Sequence, residues 1–226
     1  MLGANGKDDV LAEGNVSRLR AAPQQERSQA RMEAVLRAAD EFVAAHGPER
    51  ASIPEIAELA GVPRASVYQF YPDKYALLSH VAERHLASIV DLLFSAGSSL
   101  LTRDYRQVVS MLVETAADYF DTHPAAATLL LGGPFSRAAY LAREEQISRL
   151  GTALRFLGAN LARPLIMPEA PDVAVIAAEI GLACMRLGYY REGRVSRPMR
   201  EQAVIASCAY LKLWEESSMR WFSDHM

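Results

Sequence analysis

Four side chains that can form hydrogen bonds stand close together in the first third of the sequence. Arg64, Ser66, Tyr68 and Gln69 occupy one short segment that is predicted to be helical. An Arg guanidinium can bind a guanine edge with two hydrogen bonds, and a Tyr hydroxyl suits a phosphate oxygen. A short, rigid helix also fits the major groove of B-DNA. The segment is therefore a candidate for a surface that reads DNA.

Capping and turn residues predict the helices that would position this segment. Ser52 begins one helix as a capping box, in which Glu55 reaches back to the backbone amide of the cap residue. Gly61 ends that helix, because a residue without a side chain suits the turn. The next helix covers about 64–71, and Asp73 caps a long fourth helix. Together these elements predict a helix-turn-helix, in which the first helix braces the second.

The remainder of the chain is also predicted to be helical. Ala, Leu, Arg and Glu are abundant, and no long stretch alternates apolar and polar residues. We therefore expect an all-α protein. The further predicted helices are about 25–45, 103–121, 125–131, 135–160, 172–192 and 197–222.

The overall charge does not by itself favour binding to nucleic acid, since the formal net charge is −3. The segment 18–37 is locally basic, with five Arg and two acidic residues. The segment 24–86 is slightly acidic, with nine Asp or Glu and seven Lys or Arg, and this gives some weight to a protein that has lost DNA binding.

Other site chemistries find little support in the sequence. Cys184 and Cys208 lie in Ala-rich helical segments, which is typical of buried thiols and of a reducing compartment. His80 and His85 are five residues apart, which does not match a helical metal-binding pair. No catalytic triad or Gly-rich phosphate loop is present, so we expect no enzyme, no metal and no cofactor. The N-terminus lacks the apolar run of a signal peptide, so we expect a cytoplasmic protein without a membrane partner.

Residues 31–86 as a set resemble the DNA-binding domain of the tetracycline-repressor (TetR) family of bacterial transcription regulators. The motifs that carry the resemblance are Gly47, Ser52, Ile56-Ala57, Ala60-Gly61-Val62, Ser66-Val67-Tyr68, Phe70-Tyr71 and Lys74. The resemblance implies that Arg64, Ser66 and Gln69 reach bases, with Ala65 on the same surface. It also implies that Ser52, Tyr68 and Lys74 hold phosphates.

Three positions depart from the family pattern. Pro63 replaces a frequent capping Ser, so the recognition helix loses a side-chain cap. Phe70 stands where a polar aromatic residue is common, and Pro54 occupies a position that is polar in some members. The aromatic residues also have a simpler interpretation as core residues, which we favour for Tyr71.

By the same resemblance, the chain divides into an N-terminal arm (1–22), a three-helix DNA-binding domain (23–72) and a C-terminal helical bundle (73–226). The bundle is expected to dimerise and to hold a small effector. Ordinary core packing is the alternative for each ligand candidate, and Arg186 is also expected to pair with Glu179. The candidate ligand-binding residues are Met111, Tyr119, Phe120, Phe135, Tyr140, Phe156, Met185, Arg186 and Tyr189.

The last two predicted helices carry small residues beside large ones, a pattern that favours close helix packing. We expect a dimer interface there, with packing inside one protomer as the alternative. The candidate interface residues are Ala203, Ser207, Tyr210 and Trp214.

These features predict a homodimeric repressor that binds a palindromic operator in double-stranded DNA. A small, largely apolar effector is expected to release it. Two alternatives remain: a DNA-binding dimer without an effector, and a helical ligand-binding or interaction protein that no longer binds DNA.

Overall fold

The structure, a computed structural model, describes residues 8–95, 102–132 and 137–225, and these residues form nine helices. The predicted all-α class is confirmed. The helices are α1 (Asp8–His46), α2 (Ile53–Ala60), α3 (Arg64–Tyr68), α4 (Lys74–Ser95), α5 (Tyr105–Thr122), α6 (Pro124–Ala126, continued by a π-helical turn over Ala127–Leu131), α7 (Arg137–Ala159), α8 (Val173–Glu192) and α9 (Arg197–His225).

α1 to α3 and the start of α4 pack around one hydrophobic core. On α1 the side chains of Val35, Leu36 and Val43 are buried. Ile56 of α2 is fully buried against them. α1 begins at Asp8, well before the predicted start near residue 25, so most of the predicted arm continues this helix.

The core of the helix-turn-helix is continuous with the helical body. Ala125 of α6 and Leu129 of the π-helical turn belong to the same buried cluster as Leu77 and Leu78 of α4. Because packed interiors transmit small displacements, a shift of α6 is felt directly by α4 and α1.

α8 and α9 form a closely packed pair in which small residues set the separation. A Cβ atom added at Gly181 would lie 3.2 Å from Oγ of Ser207, and one added at Gly188 would lie 2.8 Å from Cγ of Met199. The hydroxyl of Ser207 donates a 3.0 Å hydrogen bond to the carbonyl of Ala177. These small residues therefore serve packing within one protomer.

Arg200 fixes the first turn of α9 to α5. Its Nη1 lies 2.7 Å from Oε2 of Glu114 and 2.6 Å from Oδ1 of Asp118, and its Nη2 lies 2.6 Å from Oδ2 of Asp121. Its Nε donates to the carbonyl of Val195. Burial lowers the pKa of Arg200, but the hydrogen bonds to Glu114 and Asp118 outweigh this and raise the pKa above its usual value.

The segment between α7 and α8 is held by Arg155 of α7. Its Nη1 lies 2.5 Å from Oδ2 of Asp172, and its Nη2 lies 3.5 Å from Oε1 of Glu169. Asp172 also caps α8 by accepting from the amide of Val175 at 3.1 Å. One carboxylate therefore anchors both the segment and the helix that follows it.

Within the described part of the chain, α8 is the one helix that is long and apolar enough to cross a membrane. Its apolar composition has another explanation in the fold. Ala177 and Gly181 pack against α9, and Val173, Ala174 and Met185 are buried in the body.

Candidate DNA-binding surface and apolar cavity

α2 begins at Ser52, and its capping arrangement differs from the predicted one. Oγ of Ser52 accepts from the amide of Glu55 at 3.4 Å, as expected for a cap. Glu55, however, does not reach back to the amide of the cap residue. Its Oε2 accepts from the Ser52 hydroxyl at 2.6 Å. The hydroxyl that was predicted to hold a phosphate therefore donates to a carboxylate in this structure.

The turn between α2 and α3 follows the predicted chemistry. Gly61 has φ 64° and ψ 29°, a left-handed conformation that a residue without Cβ adopts at little cost. Its amide bonds to the carbonyl of Glu58, and the amide of Val62 bonds to the carbonyl of Ala57. Pro63 precedes α3 without a side-chain cap, as predicted.

α3 is anchored by one residue and displays the others. Val67 is 1% exposed and holds the helix against the core, whereas Tyr68 is 49% exposed. The remaining predicted DNA-binding residues of this segment also reach the surface: Arg64, Ala65 and Gln69 are exposed and Ser66 is half-buried. The structure thus gathers the polar side chains of α3 on one accessible element.

Tyr71 fixes the end of α3 to its neighbours. Its side chain is buried, and its hydroxyl lies 2.7 Å from Nδ1 of His80 and 3.0 Å from Sδ of Met32. Burial raises the pKa of Tyr71 to about 12. The interpretation of Tyr71 as a core residue is confirmed.

Lys74, at the start of α4, binds the segment that follows α1. Its Nζ donates to the carbonyl of Glu49 at 2.9 Å and approaches the carbonyl of Pro48 at 3.5 Å. An ammonium group has three donors, so one donor remains for a phosphate oxygen. Lys74 therefore has a structural contact that the sequence did not indicate.

A cavity of about 150 Å³ lies inside the helical body. Its wall is formed by α4, α5, the π-helical turn, α7, α8, α9 and the segment before α8. Representative wall residues are Ile89 of α4, Leu112 of α5, Leu154 of α7, Leu182 of α8 and Leu211 of α9. Such a concave apolar space is the usual form of a small-molecule site.

The side chains of Asp40, His85 and Tyr119 join the helix-turn-helix to the body, and we name these three residues the clasp. Nε2 of His85 lies 2.6 Å from Oδ1 of Asp40 on α1, and Nδ1 of His85 lies 2.8 Å from the hydroxyl of Tyr119 on α5. The ring of His123 stacks on Tyr119 with centroids 3.9 Å apart. Since α4 carries His85, the clasp links α1, α4 and α5 at one point.

The N-terminal geometry agrees with a known family. Residues 35–81 match the model of "Bacterial regulatory proteins, tetR family". These residues, which include α2 and α3, therefore form a TetR-family domain. This family comprises transcriptional regulators that bind DNA, and not enzymes.

Solved structures with the same fold cover most of the chain. A TetR-family transcriptional regulator from Streptomyces coelicolor has a TM-score of 0.65 at 18% identity, over 81% of this chain and 99% of that one. The fatty acid degradation regulator FadR from Bacillus halodurans has a TM-score of 0.61 at 15% identity, over 79% and 97%. A transcriptional regulator from Cytophaga hutchinsonii has a TM-score of 0.59 at 15% identity, over 82% and 96%. No match was found among curated protein sequences.

Two of the residues predicted to bind a ligand line the cavity. They are Phe120 of α5 and Met185 of α8. Phe135 lies outside the described residues, as does the side chain of Tyr140. The wall is instead mainly aliphatic, and the sequence carries no signal for it because the same Leu and Val residues fill ordinary cores.

The other five ligand candidates have different positions. Met111 packs against a core cluster but does not line the cavity, and Phe156 is 68% exposed. Tyr119 belongs to the clasp, and the hydroxyl of Tyr189 lies 2.8 Å from Oγ1 of Thr128. Nη2 of Arg186 lies 3.9 Å from Oε2 of Glu179, so the predicted pairing is confirmed.

The dimer candidates in α9 also divide by position. Ala203 is 0% exposed and Ser207 is 4% exposed, because both face the protomer's own core. They are therefore unavailable to a second protomer, and they serve packing inside one protomer, which was the alternative to a dimer interface. Tyr210 and Trp214 are half-buried, with ring centroids 6.5 Å apart.

A different face of the last two helices is apolar and exposed, and we name it the outer face. On α9 it contains Ile205, 58% exposed, and Leu213, 61% exposed, two helical turns apart. On α8 it contains Ile176, Leu187 and Tyr190. The spacing of these residues places each set on one side of its helix.

Proposed function

We propose that this TetR-family protein is a homodimeric transcriptional repressor that an apolar effector releases from its operator. The single observation that carries the proposal is the combination of an exposed α3 with an apolar cavity whose wall includes α4, the helix that continues from the helix-turn-helix. A DNA-binding regulator of this kind acts in the cytoplasm.

In this proposal α3 enters the major groove. Arg64, Ser66 and Gln69 contact base edges, and Tyr68 contacts a phosphate. Lys74 offers its third donor to a phosphate at the start of α4. Ser52 contributes to phosphate binding only if its hydroxyl leaves Glu55, so we rank it last among these contacts.

Dimerisation supplies the second α3. The outer face of α8 and α9 is apolar and exposed, which suits a four-helix interface with a second copy. A dimer that reads a palindrome needs its two recognition helices about one DNA turn apart, roughly 34–36 Å. The boundary between the DNA-binding domain and the helical bundle, near residue 72, stays a prediction. α4 serves both domains, because its start packs in the core of the helix-turn-helix and its later residues line the cavity.

In this proposal, α4 couples the cavity to the release of DNA. Leu86, Ile89 and Leu93 of α4 line the cavity, so an occupant alters the path of this helix. His85 of the clasp transmits the shift to Asp40 on α1. A coupling of ~1–3 kcal/mol between the two sites would change operator affinity ~5–150-fold.

The test is operator binding by the full-length protein. We would select binding sequences from a random DNA library and then measure retardation of the selected duplex against scrambled DNA. The proposal expects a palindromic sequence and a dimer on the duplex. Equal affinity for selected and scrambled DNA at physiological salt would favour a helical ligand-binding protein without operator function.

A further inference from the structure

The cavity is long compared with its volume. On α5 the wall runs from Tyr105 to Phe120, a rise of ~22 Å at 1.5 Å per residue, and on α8 it runs from Ala174 to Met185, or ~16 Å. Its volume of about 150 Å³ is small for a space that reaches over such a length. A space of this volume, drawn out over such a length, is narrow and suits a single chain better than fused rings.

The described part of the wall carries no ionisable anchor for a charged ligand. Among the wall residues that the structure describes, only Tyr105 and Ser207 have polar side chains, and no Arg, Lys, His, Asp or Glu is present. Ser207 already donates to the carbonyl of Ala177. A carboxylate placed inside would lose its hydration without gaining a cation.

The end of the cavity at Tyr105 is also unsuited to an anion. Burial, together with the nearby carboxylate of Glu215, raises the pKa of Tyr105 to about 12, so its hydroxyl stays protonated at neutral pH. Arg106, the neighbouring cation, already pairs with Glu215 at 3.3 Å. A negative ligand head would therefore meet Glu215 and a guanidinium that is already engaged.

We propose that the effector is an uncharged, unbranched hydrocarbon chain with at most one small polar group, such as a hydroxyl. This inference rests on the proposed function, in which the cavity holds the effector. The bound hydrocarbon chain lies along α5 and α8, and its polar end lies near Tyr105. The acid of the same chain length is excluded by its charge.

Calorimetric titration of the full-length protein at neutral pH tests both parts of the inference. Three probes with the same number of carbon atoms are used: 1-decanol, decanoate and 1-adamantanol. Because an unpaired carboxylate is costly to bury, we expect 1-decanol to bind ~100-fold more tightly than decanoate. The compact cage of 1-adamantanol should bind at least ~10-fold more weakly than 1-decanol.

Binding of decanoate as tight as that of 1-decanol would overturn the uncharged class. Equal binding of 1-adamantanol would overturn the chain shape, and no binding of 1-decanol would overturn the inference as a whole.

A matched pair of substitutions locates the bound chain. Ala116→Leu adds volume to the cavity wall and should weaken 1-decanol binding ~10-fold, whereas Ala87→Leu adds the same group at an exposed position of α4 and should leave it unchanged. Circular dichroism checks that each variant folds, and Ala178→Leu replaces Ala116→Leu if that variant does not. Equal affinities for the two variants would place the chain elsewhere and overturn the inference.

The same probes separate this inference from the proposed function. If 1-decanol binds but the retarded operator complex persists, release by an effector is wrong while the ligand class stands. If 1-decanol does not bind and the protein still binds its operator as a dimer, the ligand class is wrong while DNA recognition stands.

Discussion

Arg64 and Tyr68 lie on the same exposed helix but should act on DNA in different ways. Arg64→Ala removes a guanidinium that can form two bonds to one base, so it should cost ~1–3 kcal/mol and relax the preference at one position of the operator. Tyr68→Phe removes only a hydroxyl, so it should weaken binding to all sequences equally. Selection of binding sequences by each variant measures the difference, with Arg50→Ala, an exposed Arg outside α3, as the control. An unchanged preference in Arg64→Ala would show that this residue does not read a base.

Lys74 combines a structural and a DNA-binding role in one ammonium group. Lys74→Met keeps much of the apolar stem but removes the donors to the carbonyls of Glu49 and Pro48, so the free energy of unfolding should fall by ~1 kcal/mol. The slope of operator affinity against salt should also fall by about one ion. Thermal unfolding and gel retardation at several salt concentrations measure the two effects, and Arg50→Met is the control. Lower stability with an unchanged salt slope would restrict Lys74 to its structural contact.

At the scale of helices, most boundaries could be predicted from the sequence because local chemistry sets them. α8 and α9 begin within one residue of their predicted starts, because Asp172 and the turn before Arg197 are local signals. The start of α1 was missed because the residues before about 22 show only weak apolar periodicity. The predicted partner of Glu55 was also wrong, since its carboxylate accepts from the hydroxyl of Ser52 and not from the amide.

The clasp is an element-scale feature that the sequence did not reveal, because Asp40, His85 and Tyr119 are far apart along the chain. Tyr119→Phe removes the hydroxyl 2.8 Å from Nδ1 of His85 but keeps the ring that stacks on His123. We expect the free energy of unfolding to fall by ~1 kcal/mol and operator affinity to fall several-fold, because α5 no longer fixes α4. Chemical denaturation and gel retardation measure these quantities.

Thr152→Val provides the comparison for the clasp. Thr152 is exposed on α7, and its Oγ1 donates to the carbonyl of Ser148 at 3.3 Å, a hydrogen bond that valine cannot form. The operator affinity of this variant should be unchanged. Equal losses of operator affinity in the two variants would mean that the clasp has no special part in holding the helix-turn-helix.

At the scale of the whole molecule, the sequence indicated which helices pair but not which side of each helix faces outward. α9 carries small and apolar residues on two sides, so periodicity alone does not assign Ala203 and Ser207 to the inside and Ile205 and Leu213 to the outside. The rotation of α9 is set by its tertiary contacts with α5 and α8, such as the hydrogen bonds of Arg200. Cavity shape is a property of the same scale, since it depends on how helices pack and not on any one of them.

The outer face gives the decisive prediction for the assembly. Leu213→Glu places a charge at an exposed apolar position, which costs little in a monomer but is strongly unfavourable in a desolvated interface. We therefore expect sedimentation equilibrium to show a monomer with unchanged helix content, and operator affinity to fall by ~100-fold or more because only one α3 reaches DNA. Leu141→Glu makes the same change at an exposed Leu of α7 and should leave the dimer intact. If Leu213→Glu stays dimeric and Leu141→Glu dissociates, the second copy pairs through α7, and the recognition helices must be spaced by a different pair of surfaces.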